Sequence, residues 1–431
     1  MKDYLRDMVA RRKQGEVCGI GSYCTANELV IEACMQRARR DHQVVLLEAT
    51  ANQVNQFGGY TGMRPADFRD FVYGIADRIG FPREDILLGG DHLGPLTWLS
   101  EPEDRAMDKA AELVRLFVLA GFKKIHLDTS MRLADDPRDR PLTDETIARR
   151  GARLYAACED AYQTLRAGNL GEIRPVYIVG SEVPIPGGAQ EAESSIAVTR
   201  PEALNKTVET YRAAFAEAGC ADGFENVIGV VVQPGVEFGD ADFFRYDRAN
   251  AKELTAAAKK LDGIVLEGHS TDYQPAEALR EMVEDGIAIL KVGPALTFGL
   301  REGLFALDMM EKILLPEGRR VHFADTLERV MLEHPENWKK YYHGDELQQA
   351  IKRKFSFSDR IRYYLTDAEV KTAMDQLIAR MQKVEIPLSM LHQYMPLQYT
   401  KVRDGRLPMD ARELVKDCVL TFAEDYSYAT R

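Results

Sequence analysis

No two cysteines in this 431-residue chain are spaced C-x-x-C, and none of the six, Cys18, Cys24, Cys34, Cys158, Cys220 and Cys418, falls in a zinc-finger pattern. Such spacing points to free thiols in a reducing compartment rather than to a disulfide framework or a structural zinc. No apolar run approaches the roughly 20 residues that a membrane helix needs. The charged opening, MKDYLRDMVARRKQGE, lacks the apolar centre of a secretory signal. A cytoplasmic protein with no membrane partner is therefore expected. Basic residues are outnumbered, 56 Lys and Arg against 68 Asp and Glu for a net charge of −12, so no surface for a nucleic-acid backbone is expected. A local basic pocket for one small phosphate ester remains compatible with that balance. Nucleotide motifs are missing as well. No G-x-G-x-x-G sits at a strand-to-helix turn and no Walker-type loop occurs, which removes the main support for a nucleotide-binding fold or a kinase.

What the chain does have is a rhythm. Up to about residue 310, short runs rich in Val, Ile and Leu alternate with longer segments of helical periodicity. The runs are VCGIGSYC from Val17, QVVLLEAT from Gln43, DILLGGDH ending at His92, KKIHLD ending at Asp128, PVYIVGSE ending at Glu182, NVIGVVVQP from Asn226, GIVLEGHS from Gly263 and IAILKVGP from Ile287. Continuous apolar runs of this length suit strands buried on both faces. Helix starts are marked between them: a stretch opening at Thr25, a proline at a first turn at Pro65, and the acidic first turn of TDET from Thr143. Eight βα units in succession fit an α/β protein of the closed (β/α)8 TIM-barrel type better than the alternative, an open doubly wound sheet. Past residue 314 the strand pattern stops. Residues 315–431 read as a helical appendage packed on a barrel of residues 1–314.

Barrel active sites are built at the C-terminal ends of the strands. Those ends carry Glu48, Asp91 with His92, Asp128, Glu182, Gln233 with Glu237, His269 with Asp272, and Lys291, so seven of eight strands bring a charged or metal-capable group to one rim. So many carboxylates around one mouth need a cation nearby. Asp91 and His92 offer a proton-transfer group and a metal ligand from one turn, and His269 can reach the same centre from the seventh strand. Two histidines with carboxylates suit Zn²⁺ or Mn²⁺. The competing reading has both histidines bonded to backbone at crowded strand ends. His126, two residues before Asp128, reads better as a core histidine. The amide- and glycine-rich loop over residues 52–62, with Asn52 and Gln53, either closes over a polyhydroxy substrate or is a surface connection. In SFSDRIRYY, residues 356–364, Ser358, Arg360 and Arg362 either bind phosphate or pack a helix. Ser270, Thr271 and Gly293 occupy the usual phosphate positions of barrels.

The stretches EATANQVNQFGGYTGM, GGDHLGP, KIHLDTSM, SEVPIPGG, VVVQPGVEF, HSTDYQ, ILKVGPALTF and SDRIRYY together resemble the GatZ/KbaZ-type family, from about Gly15 past Tyr364. The resemblance implies a barrel related to class II aldolases, described either as the non-catalytic subunit of tagatose-1,6-bisphosphate aldolase or as a D-tagatose-6-phosphate 4-epimerase. On that resemblance Asp91 and His92 match the proton-transfer aspartate and zinc-binding histidine, His269 a second zinc histidine, and Glu182 a fifth-strand carboxylate. The sixth strand departs from the aldolases: VQPGVEF offers Gln233 or Glu237 where they have a histidine, so a three-histidine zinc site is not expected.

The expected activity is a metal-assisted interconversion of D-tagatose 6-phosphate and D-fructose 6-phosphate by retro-aldol cleavage and re-addition. In it His92, His269 and Glu182 hold the ion, Asp91 moves the C4 hydroxyl proton, and Asp128 or Glu237 serves the other face. Asn52, Gln53, Gln233, Ser270, Asp272, Lys291 and Arg360 would bind substrate. The alternative is an accessory subunit that stabilises a separate class II aldolase. A homo-oligomer is compatible with either.

Overall fold

In the computed structural model, which describes residues 3–183 and 196–431, eight parallel strands close into a barrel. They are β1 (Ile20–Cys24), β2 (Val45–Thr50), β3 (Ile86–Leu93), β4 (Lys124–Leu127), β5 (Val176–Val179), β6 (Val227–Val232), β9 (Val265–Gly268) and β10 (Ile287–Val292). A short antiparallel hairpin, β7 (Glu237–Phe238) and β8 (Phe243–Phe244), interrupts the series after β6. The order round the barrel is β1-β10-β9-β6-β5-β4-β3-β2, closed by pairing of Ile20 with Ile289. Each strand lies where a Val/Ile/Leu run predicts one, and all six residues of β6, VIGVVV, are buried, as a strand covered on both faces requires. The VPIPGG loop after β5 lies, beyond Val183, outside the described residues.

Helix starts follow local chemistry. The helix Glu28–Asp41 begins three residues later than Thr25, because the Asn27 side chain accepts from the backbone N–H groups of Leu29 and Val30. Pro65 stands at the first position of Pro65–Ile79, and Thr143 caps Asp144–Gly168. An N-terminal helix with no strong sequence signal, Tyr4–Lys13, closes the bottom of the barrel. Its Leu5 and Met8 join Ile20, Leu46, Ile178, Ile228 and Ile289 in one apolar cluster.

Beyond residue 314 the described chain is helical, with six α-helices ending in Ala411–Thr430. That last helix is part of the barrel wall. It packs on β1 between the helices Ala276–Asp285 and Glu28–Asp41, and Gly19 N donates to Thr430 O at 3.1 Å. The helix that follows β10, Pro294–Leu314, packs along it. A Cβ on Gly299 would stand 2.8 Å from Cys418 O, and one on Gly303 2.9 Å from Val415 Cα, so these glycines permit the close approach. None of the six cysteines is paired. No helix among the described residues is long and apolar enough to cross a membrane.

Candidate active site

Strand alternation brings the ionisable groups together. Lys124 and His126 are two apart on β4, with Asp128 two further on, and Glu267 on β9 precedes His269 by two, so each set projects to one side of its strand. Glu48 enters from β2 opposite Gly89, where any Cβ would lie 2.7 Å from the Glu48 side chain. Lys291 comes from β10, and Asp91 with His92 from β3.

The resulting network is continuous and buried. Lys124 Nζ lies 2.7 Å from Glu48 Oε1 and 2.8 Å from Glu267 Oε2. Lys291 Nζ pairs with Glu48 and lies 2.9 Å from Asp91 Oδ1. His126 Nδ1 is 3.0 Å from Asp91 Oδ1, His269 Nε2 is 2.9 Å from Glu267 Oε1, and His92 Nδ1 is 2.7 Å from Asp128 Oδ2. Ser130 donates to Asp128 Oδ1 through both its N–H, at 3.1 Å, and its hydroxyl, at 2.6 Å. The rings of His92, His126 and His269 form a triangle with centroid separations of 5.1, 5.0 and 5.1 Å.

Burial works against every charge here, and neighbours decide the outcome. Burial would raise the Asp91 carboxyl, but His92 and Lys291 hold it well below the usual range. Burial would likewise raise the Asp128 carboxyl, but His92, with His126 and Ser130, holds it below its ordinary value. Burial would lower His92, yet Asp91 and Asp128 hold it above its ordinary value. At His269 burial prevails over Glu267 and brings the imidazole down to about 4, so this ring is neutral at pH 7 and carries a lone pair. Burial raises the Cys24 thiol, whose Sγ lies 3.5 Å from Asp91 Oδ2.

These groups fit a divalent ion. Asp91, His126, Glu267 and His269 each present a donor atom within 4.8 Å of the others. His126 Nδ1 meets both Asp91 Oδ1, at 3.0 Å, and the backbone N–H of His92, at 3.2 Å, and its buried Nε2 has no hydrogen-bond partner among the described residues. Four carboxylates, Glu48, Asp91, Asp128 and Glu267, face two ammonium groups, which leaves negative charge for a cation to offset. Asp128 behind His92 is a carboxylate–histidine pair of the kind that orients a metal-bound imidazole. The imidazole that joins His92 and His269 comes from β4, as His126. His126 is fully buried, as a core histidine is, and its neighbours there are polar, Asp91 and the His92 amide. The two-residue spacings in KIHLD and LEGH were the available signal, and they also mark Lys124 and Glu267, which strand-end reading passed over.

The pocket above the cluster is lined by Cys24, Thr50, Asn52, Gln53, Tyr60, Asp91, His92, His269, Ser270, Asp272, Lys291, Gly293 and, from the helical segment, Arg362 and Tyr363. His92 and Ser270 hold left-handed backbone, with φ of 48° and 51°, a conformation that costs a non-glycine residue about 1–3 kcal/mol and gathers at functional sites.

Of the expected site residues, Asp91, His92, His269, Asn52, Gln53, Ser270, Asp272 and Lys291 meet at this pocket. Others do not. Asp128 sits behind His92 instead of lining the pocket. Glu182 is exposed and accepts from Thr199 Oγ1 at 2.6 Å, apart from the histidine cluster. Gln233 shapes its own loop, its Oε1 accepting from Gly235 N and Val236 N at 2.9 and 3.0 Å. Glu237 lies in the β7–β8 hairpin. Arg360 turns away: its guanidinium lies 3.2 Å from the centroid of the Tyr341 ring, and Arg362 reaches the pocket in its place. Asp272 takes the amides expected for phosphate, its Oδ1 accepting from Gly293 N at 3.1 Å and Ala295 N at 2.8 Å.

A family model described as D-tagatose-1,6-bisphosphate aldolase subunit GatZ/KbaZ-like matches residues 5–431. The crystal structure of a probable tagatose 6 phosphate kinase from Sinorhizobium meliloti 1021 is 49% identical with a TM-score of 0.87, over 95% of this chain and 100% of that one. The YdjI aldolase from Escherichia coli K12 is 10% identical with a TM-score of 0.40, over 87% of this chain and 94% of its own. A fructose-bisphosphate aldolase from Campylobacter jejuni is 12% identical with a TM-score of 0.45, over 88% and 92%.

Proposed function

The chain belongs to the D-tagatose-1,6-bisphosphate aldolase subunit GatZ/KbaZ-like family, and on that footing we propose that it is a metal-assisted 4-epimerase interconverting D-tagatose 6-phosphate and D-fructose 6-phosphate in galactitol and tagatose metabolism. The observation that carries this reading is the set of three converging imidazoles, one with a buried nitrogen that has no hydrogen-bond partner among the described residues. An idle remnant would have no reason to keep so much buried charge.

His92, His126 and His269, with Glu267 beside them, would hold the ion. When bound, a divalent ion supplies Lewis acidity toward a ketone oxygen and charge to offset the enediolate. Asp91 is ionised at neutral pH and takes the proton from the C4 hydroxyl. The C3–C4 bond then breaks, its electron pair passing to the C2 carbonyl. The aldehyde fragment turns over, C3 re-attacks its other face, and Asp91 returns the proton to the C4 oxygen. Asn52 and Gln53 supply amides to the sugar hydroxyls, and Asp128 orients His92.

The test is an NMR assay of the purified chain with D-fructose 6-phosphate, chelated and then resupplied with Mn²⁺ or Zn²⁺. Metal-dependent appearance of tagatose 6-phosphate, abolished in a folded Asp91→Asn variant, supports the epimerase. No conversion with any metal overturns it.

One observation favours the second reading, an accessory subunit for a separate class II aldolase. On the helix Glu346–Phe355, the residues Leu347, Ile351 and Phe355 make a stripe at four-residue spacing, 69%, 49% and 56% exposed. Stable co-purification with such an aldolase, lost in an Ile351→Glu variant, would support it.

A further inference from the structure

We propose that Arg362 is the anchor for the phosphate end of the substrate, carried to the barrel mouth by the helical segment that follows the barrel strands; the inference rests on the sugar-phosphate reading above. Charge accounting around the pocket leads to it. The usual phosphate position of a barrel, the amides that open the helix after the eighth strand, is filled here by the Asp272 carboxylate. Lys291 lines the pocket but is committed to Glu48 and Asp91, and Lys124 beneath it to Glu48 and Glu267. Arg362 is the other lysine or arginine of the lining, and among the described residues it makes no ion pair with a carboxylate.

Its guanidinium is nonetheless held in place. Nη1 donates to the carbonyls of Ser358 and, at 3.0 Å, Asp359, and Nη2 donates to the Tyr363 hydroxyl at 3.2 Å. The group also lies 4.6 Å from the centroid of the Tyr363 ring. Tyr363 in turn meets Tyr60 of the amide-rich loop edge to face, with ring centroids 4.9 Å apart. Three of the five N–H donors are thus spent on orientation, which leaves Nε–H and one Nη2 proton. Two remaining donors on a held guanidinium plane suit recognition of a phosphate. The same residue borders a second cavity, shared with Thr25, Asn27 and Lys371, which gives a phosphate room beside the metal-ligand cluster.

The experiment is isothermal titration of the metal-loaded full chain with D-fructose 6-phosphate, D-fructose and inorganic phosphate, in wild type, Arg362→Met and Arg362→Lys, with melting curves for each. Wild type is expected to prefer the phosphorylated sugar by about 100-fold, the lysine variant to lose about tenfold of that, and the methionine variant nearly all of it. Should the methionine variant fail to fold, the lysine variant decides alone. Retention of the full preference in the folded variants overturns the assignment, and so does a wild type that binds neither phosphate nor D-fructose 6-phosphate. Arg362-dependent phosphate binding without turnover leaves the anchor standing and removes only the epimerase reading.

Discussion

Asp128 acts through one bond. Its Oδ2 takes the Nδ1 side of His92 at 2.7 Å while Ser130 fixes its other oxygen, so the tautomer and the ring plane of His92 are both set from behind. Asp128→Asn keeps the shape but loses the charge. It is expected to weaken Mn²⁺ or Zn²⁺ binding by about 10–100-fold, measured by competition with a chelating dye, with the melting temperature of the metal-free chain changed little. Unchanged metal affinity would refute the orienting role. At this scale the sequence was readable where a residue stood at a strand end beside another polar group, as Asp91, His92, His269 and Lys291 do. It was silent where the partner was distant. Nothing in the chain announces that Lys124 would bridge Glu48 and Glu267, because those contacts exist only once three strands are in register. Arg360 and Arg362 were indistinguishable for the same reason: which of the two meets the barrel depends on the path of a 3-10 turn, Arg360–Tyr363.

Between elements, buried charge and close packing hold the wall helices. Arg150 on Asp144–Gly168 is fully buried and is held by Asp136, at 2.9 and 2.7 Å, and by Glu103 on Glu103–Leu119 at 2.6 Å. Burial would raise the Glu103 carboxyl, but hydrogen bonds from Arg149 and Arg150 bring it down to about 2 from 4.5. A folded value below the unfolded one means that the stabilisation is complete above about pH 4.5 and is lost as pH falls through about 2. Glu103→Gln is therefore expected to cost about 1–2 kcal/mol at pH 7, after allowance for solvent screening. In urea titrations the gap from wild type should narrow as pH falls below 4.5. A gap independent of pH would contradict the ion-pair account. Glycine gives a second contrast. Gly74, exposed on Pro65–Ile79, has open space where a Cβ would go, whereas Gly303 has Val415 Cα at 2.9 Å. Gly74→Ala should stabilise by about 0.5–1 kcal/mol through helix propensity, and Gly303→Ala should destabilise by about 1–2 kcal/mol by forcing two helices apart. Equal signs in thermal melts would refute that packing. Element type was legible in the chain because period and caps are local. The closeness of Pro294–Leu314 to Ala411–Thr430 was not, since it joins segments about a hundred residues apart.

For the whole molecule, the eight-strand count was enough to give barrel closure, but the eighth wall position is filled by the last helix of the chain, and no local pattern distinguishes a wall helix from an appended one. An earlier turn of the C-terminal region, Arg360–Tyr363, delivers Arg362 to the mouth, so barrel and C-terminal region share one pocket. The proposed metal site joins three strands of the barrel: His92 on β3, His126 on β4, and His269 at the end of β9. An ion bound there ties these strands together in the native state and has no comparable site in the unfolded chain. Its removal must then lower stability by the linkage relation. At free metal one hundred times its dissociation constant the loss is about 2.7 kcal/mol. With an unfolding entropy that scales with chain length, this amounts to a fall of only about 3 °C in melting temperature for a chain of this size. Calorimetry before and after chelation should show that drop, and resupplied Mn²⁺ or Zn²⁺ should reverse it. In His126→Gln the drop should shrink, because one ligand of the native site is gone while the barrel remains. A wild-type melting temperature indifferent to chelation, in protein shown to carry metal beforehand, would mean that the ion sits elsewhere and that the three imidazoles are held together by Asp91, Glu267 and Asp128 alone.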